Sequence, residues 1–153
     1  MKNLKDLFKE LIKLNEDIQS IIKRSGADYC DDLSKLEINM EDSQDLFLWD
    51  ELRAIVEKLS DVSIDIDYLS KPIRMEGYLY KNIHGRYMVK CSDYHREYTC
   101  GTVIEFYVED EEDVYHENPY WCASIVGHDG DDYYIVGHRN IEMNGLKVRV
   151  RYR

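Results

Sequence analysis

A covalent catalyst needs an exposed, low-pKa nucleophile beside a base, so the thiols and imidazoles come first. The cysteines stand at 30, 91, 100 and 122 and the histidines at 84, 95, 116, 128 and 138. Cys91 and His95 lie four apart, and Cys122 is near His116 and His128 in sequence. Cys91 and Cys122 fall in apolar segments, which points to reduced, mostly buried structural cysteines rather than nucleophiles. No cysteine pair has C-x-x-C spacing, and no close His or Cys pairing suggests a metal centre. Asp129-Gly130-Asp131-Asp132 lacks the rest of a calcium loop and reads as a hairpin turn. G-x-S-x-G, H-E-x-x-H, P-loop and dinucleotide fingerprints are all missing. The expectation is a non-enzymatic protein with no catalytic residue, metal or cofactor.

Carboxylates are the second chemistry. Residues 28–67 hold thirteen acids against Lys35, Arg53 and Lys58, which is −10 in a chain of net −11. A loop adds Glu109, Asp110, Glu111, Glu112 and Asp113. Such a charge excludes a nucleic-acid-binding role for the surface as a whole. Concentrated on a scaffold, it draws in basic surfaces, including the Lys- and Arg-lined grooves that grip nucleic acid. An acidic protein can occupy such a groove in place of the polymer. The residues proposed for this role, each a phosphate surrogate, are Asp28, Asp31, Asp32, Glu37, Glu41, Asp42, Asp45 and Asp50, with Glu109 to Asp113. A plain solvated acidic face is the competing reading.

The last residues carry the opposite charge. Lys147, Arg149, Arg151 and Arg153 alternate with Val148, Val150 and Tyr152, so a strand would place four cations on one face. That stripe suits a phosphate backbone, with exposed tyrosines to stack bases, or it pairs with the chain's own acids.

The elements that must position these groups follow from composition. The chain has 153 residues, 44% of them hydrophobic and 33% charged, enough for one ordinary domain or a small domain with an extension. No apolar run is long enough to span a membrane, and MKNLKDLFKELIK lacks the apolar stretch of a signal peptide. Composition changes at Lys71-Pro72: twelve of thirteen tyrosines and seven of eight glycines lie at or beyond Tyr68. Residues 1–70 are therefore expected as an acidic helical region and 71–153 as a β domain.

Leu4, Leu7, Leu11, Leu14, Ile18 and Ile21 follow a 3-4-3-4-3 spacing, the seam of a coiled coil. Lys23 and Arg24 suit its last turn and Gly26 its left-handed cap. Packing on a neighbouring helix is the expected use, with a homodimer seam as the alternative. A second helix is predicted after Asp42 or Ser43, with Leu48, Leu52, Ile55 and Leu59 on one face. The two could form an antiparallel hairpin. Val62, Ile64, Ile66 and Tyr68 alternate with Asp61, Ser63, Asp65 and Asp67, which predicts a short strand or extended connector. Six strands are predicted near 74–80, 86–91, 102–108, 120–126, 132–137 and 146–152. They turn at Asn82-Ile83-His84-Gly85, His128-Asp129-Gly130-Asp131 and Asn144-Gly145.

A series of motifs in the second half resembles a known family. It comprises Gly77-Tyr78-Leu79-Tyr80-Lys81-Asn82, Gly85-Arg86-Tyr87, Cys100-Gly101-Thr102-Val103-Ile104-Glu105, Trp121, Tyr133-Tyr134-Ile135-Val136-Gly137 and Gly145-Leu146-Lys147-Val148-Arg149-Val150-Arg151. The family consists of short bacterial domains of unknown function, common on phages, plasmids and integrative elements, that look like SH3-type small barrels. The resemblance covers about residues 68–152 and transfers no functional residues. It implies a mobile-element protein in a bacterial cytoplasm. The fold expected is α+β, a helical hairpin followed by an SH3-like antiparallel barrel.

Three functions stay open. The first is an inhibitor that presents its acids to the cationic channel of a host defence enzyme, such as a CRISPR effector nuclease. The second is a nucleic-acid-binding accessory module using the terminal basic strand. The third is an oligomerisation or adaptor protein using the heptad helix.

Overall fold

The computed structural model describes residues 3–27, 33–109 and 115–153. Among the described residues the chain is α+β: two long helices, then antiparallel sheets. It divides into two compact units, Met1–Lys71 and Pro72–Arg153.

Helix α1 spans Leu4–Ser25. Asn3 caps it by accepting the Asp6 N–H at 3.0 Å, and Asp6 opposes the positive end of the dipole. Gly26 ends it at φ 88°, where the Cβ of another residue would sit 2.9 Å from the Lys35 backbone nitrogen. The connector is tied back there, Lys35 N–H donating to the Ser25 carbonyl and Lys35 Nζ to that of Lys23. Helix α2 spans Ser43–Ser70, with Asp42 as its cap. It stops before Lys71, which Pro72 biases toward the extended backbone it adopts (ψ 136°).

Ile22 near the end of α1 packs with Trp49 near the start of α2, around buried Ala27, Leu33 and Val56, so the helices run antiparallel. Residues 61–68 are therefore helical, not the strand or connector that their alternation suggested. Ser63 and Ile66 continue the buried side of α2 from Val56 at helical spacing, while Val62 and Ile64 turn outward. Local period two yields here to a second helix that buries every third or fourth residue.

One defect lies on the α1 contact face. Asn15 is buried and its Oδ1 has no hydrogen-bond partner among the described residues. Asn15→Leu, which keeps the branched outline and removes the polar atoms, is expected to stabilise the helical unit by about 1–2 kcal/mol. Thermal unfolding followed by circular dichroism checks this; a lowered midpoint would mean that the amide is satisfied.

Among the described residues the second unit has eight strands: β1 (Ile73–Tyr78), β2 (Tyr80–Lys81), β3 (Tyr87–Lys90), β4 (His95–Tyr98), β5 (Val103–Val108), β6 (Tyr120–His128), β7 (Tyr133–Ile135) and β8 (Lys147–Arg151). One sheet has the order β1-β8-β5-β6-β7 and the other β2-β3-β4. The six predicted strands become eight for two reasons. Leu79 breaks the first by donating its N–H to the Leu146 carbonyl and accepting from Gly145, so the chain changes sheets there. β4 was missed because His-Arg-Glu-Tyr buries only Tyr98. Leu79, Val89, Tyr98, Ile104, Phe106, Val126, Ile135 and Val148 are fully buried. Burial pushes the Tyr98 phenol up to about 12.

Candidate functional site

The acidic residues fall into three groups. Asp28, Asp31, Asp32, Asp110, Glu111, Glu112 and Asp113 lie outside the described residues. Glu37, Glu41 and Asp42 are exposed in the connector, and Glu109 is exposed just after β5. Two of the proposed surrogates also serve the fold: Asp42 accepts the Gln44 N–H at 2.9 Å, and half-buried Asp45 accepts the Asn39 N–H at 3.0 Å. Asp50 is exposed on α2.

The structure brings Asp50 together with three acids that were not singled out. Asp50, Glu57, Asp61 and Asp65 are all exposed, at spacings of seven, four and four. At 3.6 residues per turn they fall within an arc of about 80°. Helix α2 carries seven acids against Arg53 and Lys58, so the stripe sits in a segment of net −5. Extended backbone over 61–68 would have grouped Asp61, Asp65 and Asp67 instead. In the helix Asp67 leaves that set and pairs with Lys71 at 3.0 Å. The signal that finds the stripe is the i, i+4, i+8 series Glu57, Asp61, Asp65.

The terminal cations share a strand but not a free surface. Val148 and Val150 are buried, so Lys147, Arg149 and Arg151 lie on the opposite face of β8. There Glu105, 4% exposed, takes up both guanidiniums. Arg149 Nε donates at 2.9 Å, Arg151 Nε at 2.7 Å and Arg151 NH2 at 3.1 Å. Arg149 also lies over the Trp121 ring at 4.5 Å, and Lys147 over Tyr107 at 5.1 Å. Lys147 sits 3.9 Å from Glu76, and Arg153 is exposed at the end. Among the described residues the stripe is held by a buried carboxylate on β5 and by aromatic faces.

The heptad residues of α1 divide as well. Ile18 is buried and Leu11 half-buried, whereas Leu4, Leu7, Leu14 and Ile21 stay exposed. The hairpin contact uses a neighbouring line of residues, Asn15, Ile18, Ile22 and Ser25.

The thiols are less buried than expected: Cys91 and Cys122 are half-buried, Cys100 is exposed, and Cys30 lies outside the described residues. Cys91 donates to Asp93 Oδ1 at 3.2 Å. Cys122 Sγ stands 3.8 Å from His138 Nε2 rather than beside His116 or His128. His116 stacks on Tyr120, and His128 meets Tyr133 edge-on. Burial pushes the Cys122 thiol up, which keeps it protonated, the wrong direction for a nucleophile. Among the described residues no group of three His, Cys, Asp or Glu side chains is placed to hold a metal ion. A 760 Å³ cleft is lined by Tyr78, Tyr107, Tyr120, His138 and Lys147 among others. Those walls offer stacking and hydrogen bonding.

No helix among the described residues is long and apolar enough to cross a membrane. Neither a curated protein nor a solved structure matches the chain. Residues 77–150, which include Glu105 and Arg149 and stop one short of Arg151, match the family model described as a domain of unknown function (DUF5348).

Proposed function

We propose that this chain is a non-enzymatic inhibitor that occupies the cationic groove of a nucleic-acid-binding enzyme in place of the nucleic acid. The observation that carries the reading is the exposed stripe Asp50, Glu57, Asp61 and Asp65 on α2. Four carboxylates on one side of a rigid helix make a preorganised polyanion, and preorganised charge speeds and orients association with a basic surface. The enzyme class we favour is a host defence nuclease such as a CRISPR effector. The setting is a mobile element in a bacterial cytoplasm, with the second unit as an SH3-like small barrel. That setting rests on the motifs between Gly77 and Arg151.

Changing the stripe to its neutral isosteres, Asp50→Asn, Glu57→Gln, Asp61→Asn and Asp65→Asn, is expected to weaken binding to a purified CRISPR nuclease at least about tenfold. Binding should also fall steeply with added salt. Affinity insensitive to both would sink the mimicry.

A nucleic-acid-binding role for the terminal strand is disfavoured by the engagement of Arg149 and Arg151 with Glu105. An oligomerisation role is favoured by one observation, the exposed apolar side chains that the hairpin leaves on both helices.

A further inference from the structure

The helical unit carries an uncharged apolar face along both helices, and we propose that a second copy of this chain docks on it, two hairpins closing into a four-helix bundle. The inference rests on apolar rows and not on the acidic stripe, so the two readings stand or fall separately.

In a heptad pattern, residues seven apart form a row along the helix. On α1 the row Leu4, Leu11, Ile18 and Ser25 contributes to the hairpin contact, with Ile18 and Ser25 buried. Stepping three residues on gives Leu7, Leu14 and Ile21, which are 39%, 50% and 41% exposed. On α2 the contact row is Trp49, Val56 and Ser63. One step of three gives Leu52, Leu59 and Ile66; a second gives Ile55, Val62 and Leu69, and Leu48 heads that last row. Leu48, Leu52, Ile55, Val62 and Leu69 are 43%, 42%, 50%, 44% and 50% exposed.

The rows on both helices are displaced in the same rotational sense from the contact. In an antiparallel pair, equal rotational sense puts them on the same side of the hairpin. They therefore merge into one face whose rows hold no charged side chain between Leu48 and Leu69. Asp50, Glu57 and Asp61 are displaced the other way and stay outside it, while Asp65, three residues from Val62 and four from Leu69, borders it together with Glu51 and Lys58.

The size and chemistry select the occupant. The eight exposed side chains, with Leu4, present roughly 800 Å² of accessible area, what one partner contributes to a standard interface of about 1,600 Å². The largest apolar patch on a typical monomer is roughly 300–600 Å². A face without charge does not suit a nucleic acid or a basic groove. It suits another two-helix surface with the same 3-4 spacing, and an identical copy supplies one, since a two-fold interface pairs a patch with itself.

Sedimentation of the full chain between about 1 and 100 µM is expected to show a dimer. Leu14→Ala, Ile55→Ala and Val62→Ala together should raise its dissociation constant at least about 30-fold, with helical circular dichroism retained because alanine favours helix. Hydrogen exchange of the unaltered protein gives a second readout, with protection of α1 and α2 falling on dilution. A monomer throughout, a dimer that the alanines leave unchanged, or protection independent of dilution would overturn the proposal.

Discussion

Replacing Arg149 and Arg151 together by alanine is expected to destabilise the C-terminal unit by about 3–5 kcal/mol, the cost of leaving a buried charge without its partners. Glu105 is 4% exposed, and strand pairing places it opposite Arg149, across β5 and β8. Its oxygens receive the two guanidiniums at 2.7–3.1 Å. Adding Glu105→Gln to the double variant removes the stranded charge and should recover part of the loss. Chemical denaturation of the three proteins measures both effects. A double variant as stable as the parent, or no recovery from the glutamine, would mean that the carboxylate does not depend on its arginines. There is a practical consequence for nucleic-acid binding. Charge reversal at Arg149 or Arg151 disturbs the fold, so any loss of binding would not identify a contact. Lys147 and Arg153, the outer members of the stripe, are the informative positions.

The parts of the chain that were legible in sequence are those where one local signal meets no competitor. Helix α1 has a heptad, basic residues in its last turn and a terminal glycine, and all three agree with its observed course and end. The turns at Gly85, Gly130 and Gly145 have the positive φ that glycine alone takes without cost. β8 alternates because Val148 and Val150 face a core while its cations do not. Legibility failed where burial was decided by distant residues. Nothing local marks Leu79 as a sheet junction, since its partners are Gly145 and Leu146. His95 to Tyr98 forms a strand because it pairs with Tyr87 to Lys90, not because it is apolar. The site suffered likewise. The basic stripe was visible, but the buried Glu105 that holds it comes from more than forty residues earlier. Period two over residues 61–68 separates Asp61 and Asp65 from Asp50, whereas Glu57, seven residues from Asp50 within the expected helix, was legible and is not in the proposed set.

That segment supports the second large effect: Ile64→Pro is expected to cost the helical unit about 3 kcal/mol or more. Ile64 is 62% exposed, so losing its side chain removes little packing. The cost arises in the backbone. Inside Ser43–Ser70 a proline at 64 deletes the hydrogen bond to the carbonyl four residues back and drives its ring into that carbonyl. In an extended connector the same substitution would lose at most one ladder bond, and an exposed edge would lose none. Ile64→Ala is the matched control and should stay within about 0.5 kcal/mol of the parent, since only an exposed side chain changes. Denaturation followed by helical circular dichroism separates the cases; equal stability of the proline and alanine variants would return residues 61–68 to an extended conformation. The function depends on the same backbone. A break at 64 lets Asp65 swing away from Asp50, Glu57 and Asp61, so Ile64→Pro should weaken binding to the nuclease without altering any charge. Retained affinity in a protein whose helix is shown to be broken would mean that net charge, and not a rigid row of carboxylates, is what the partner recognises.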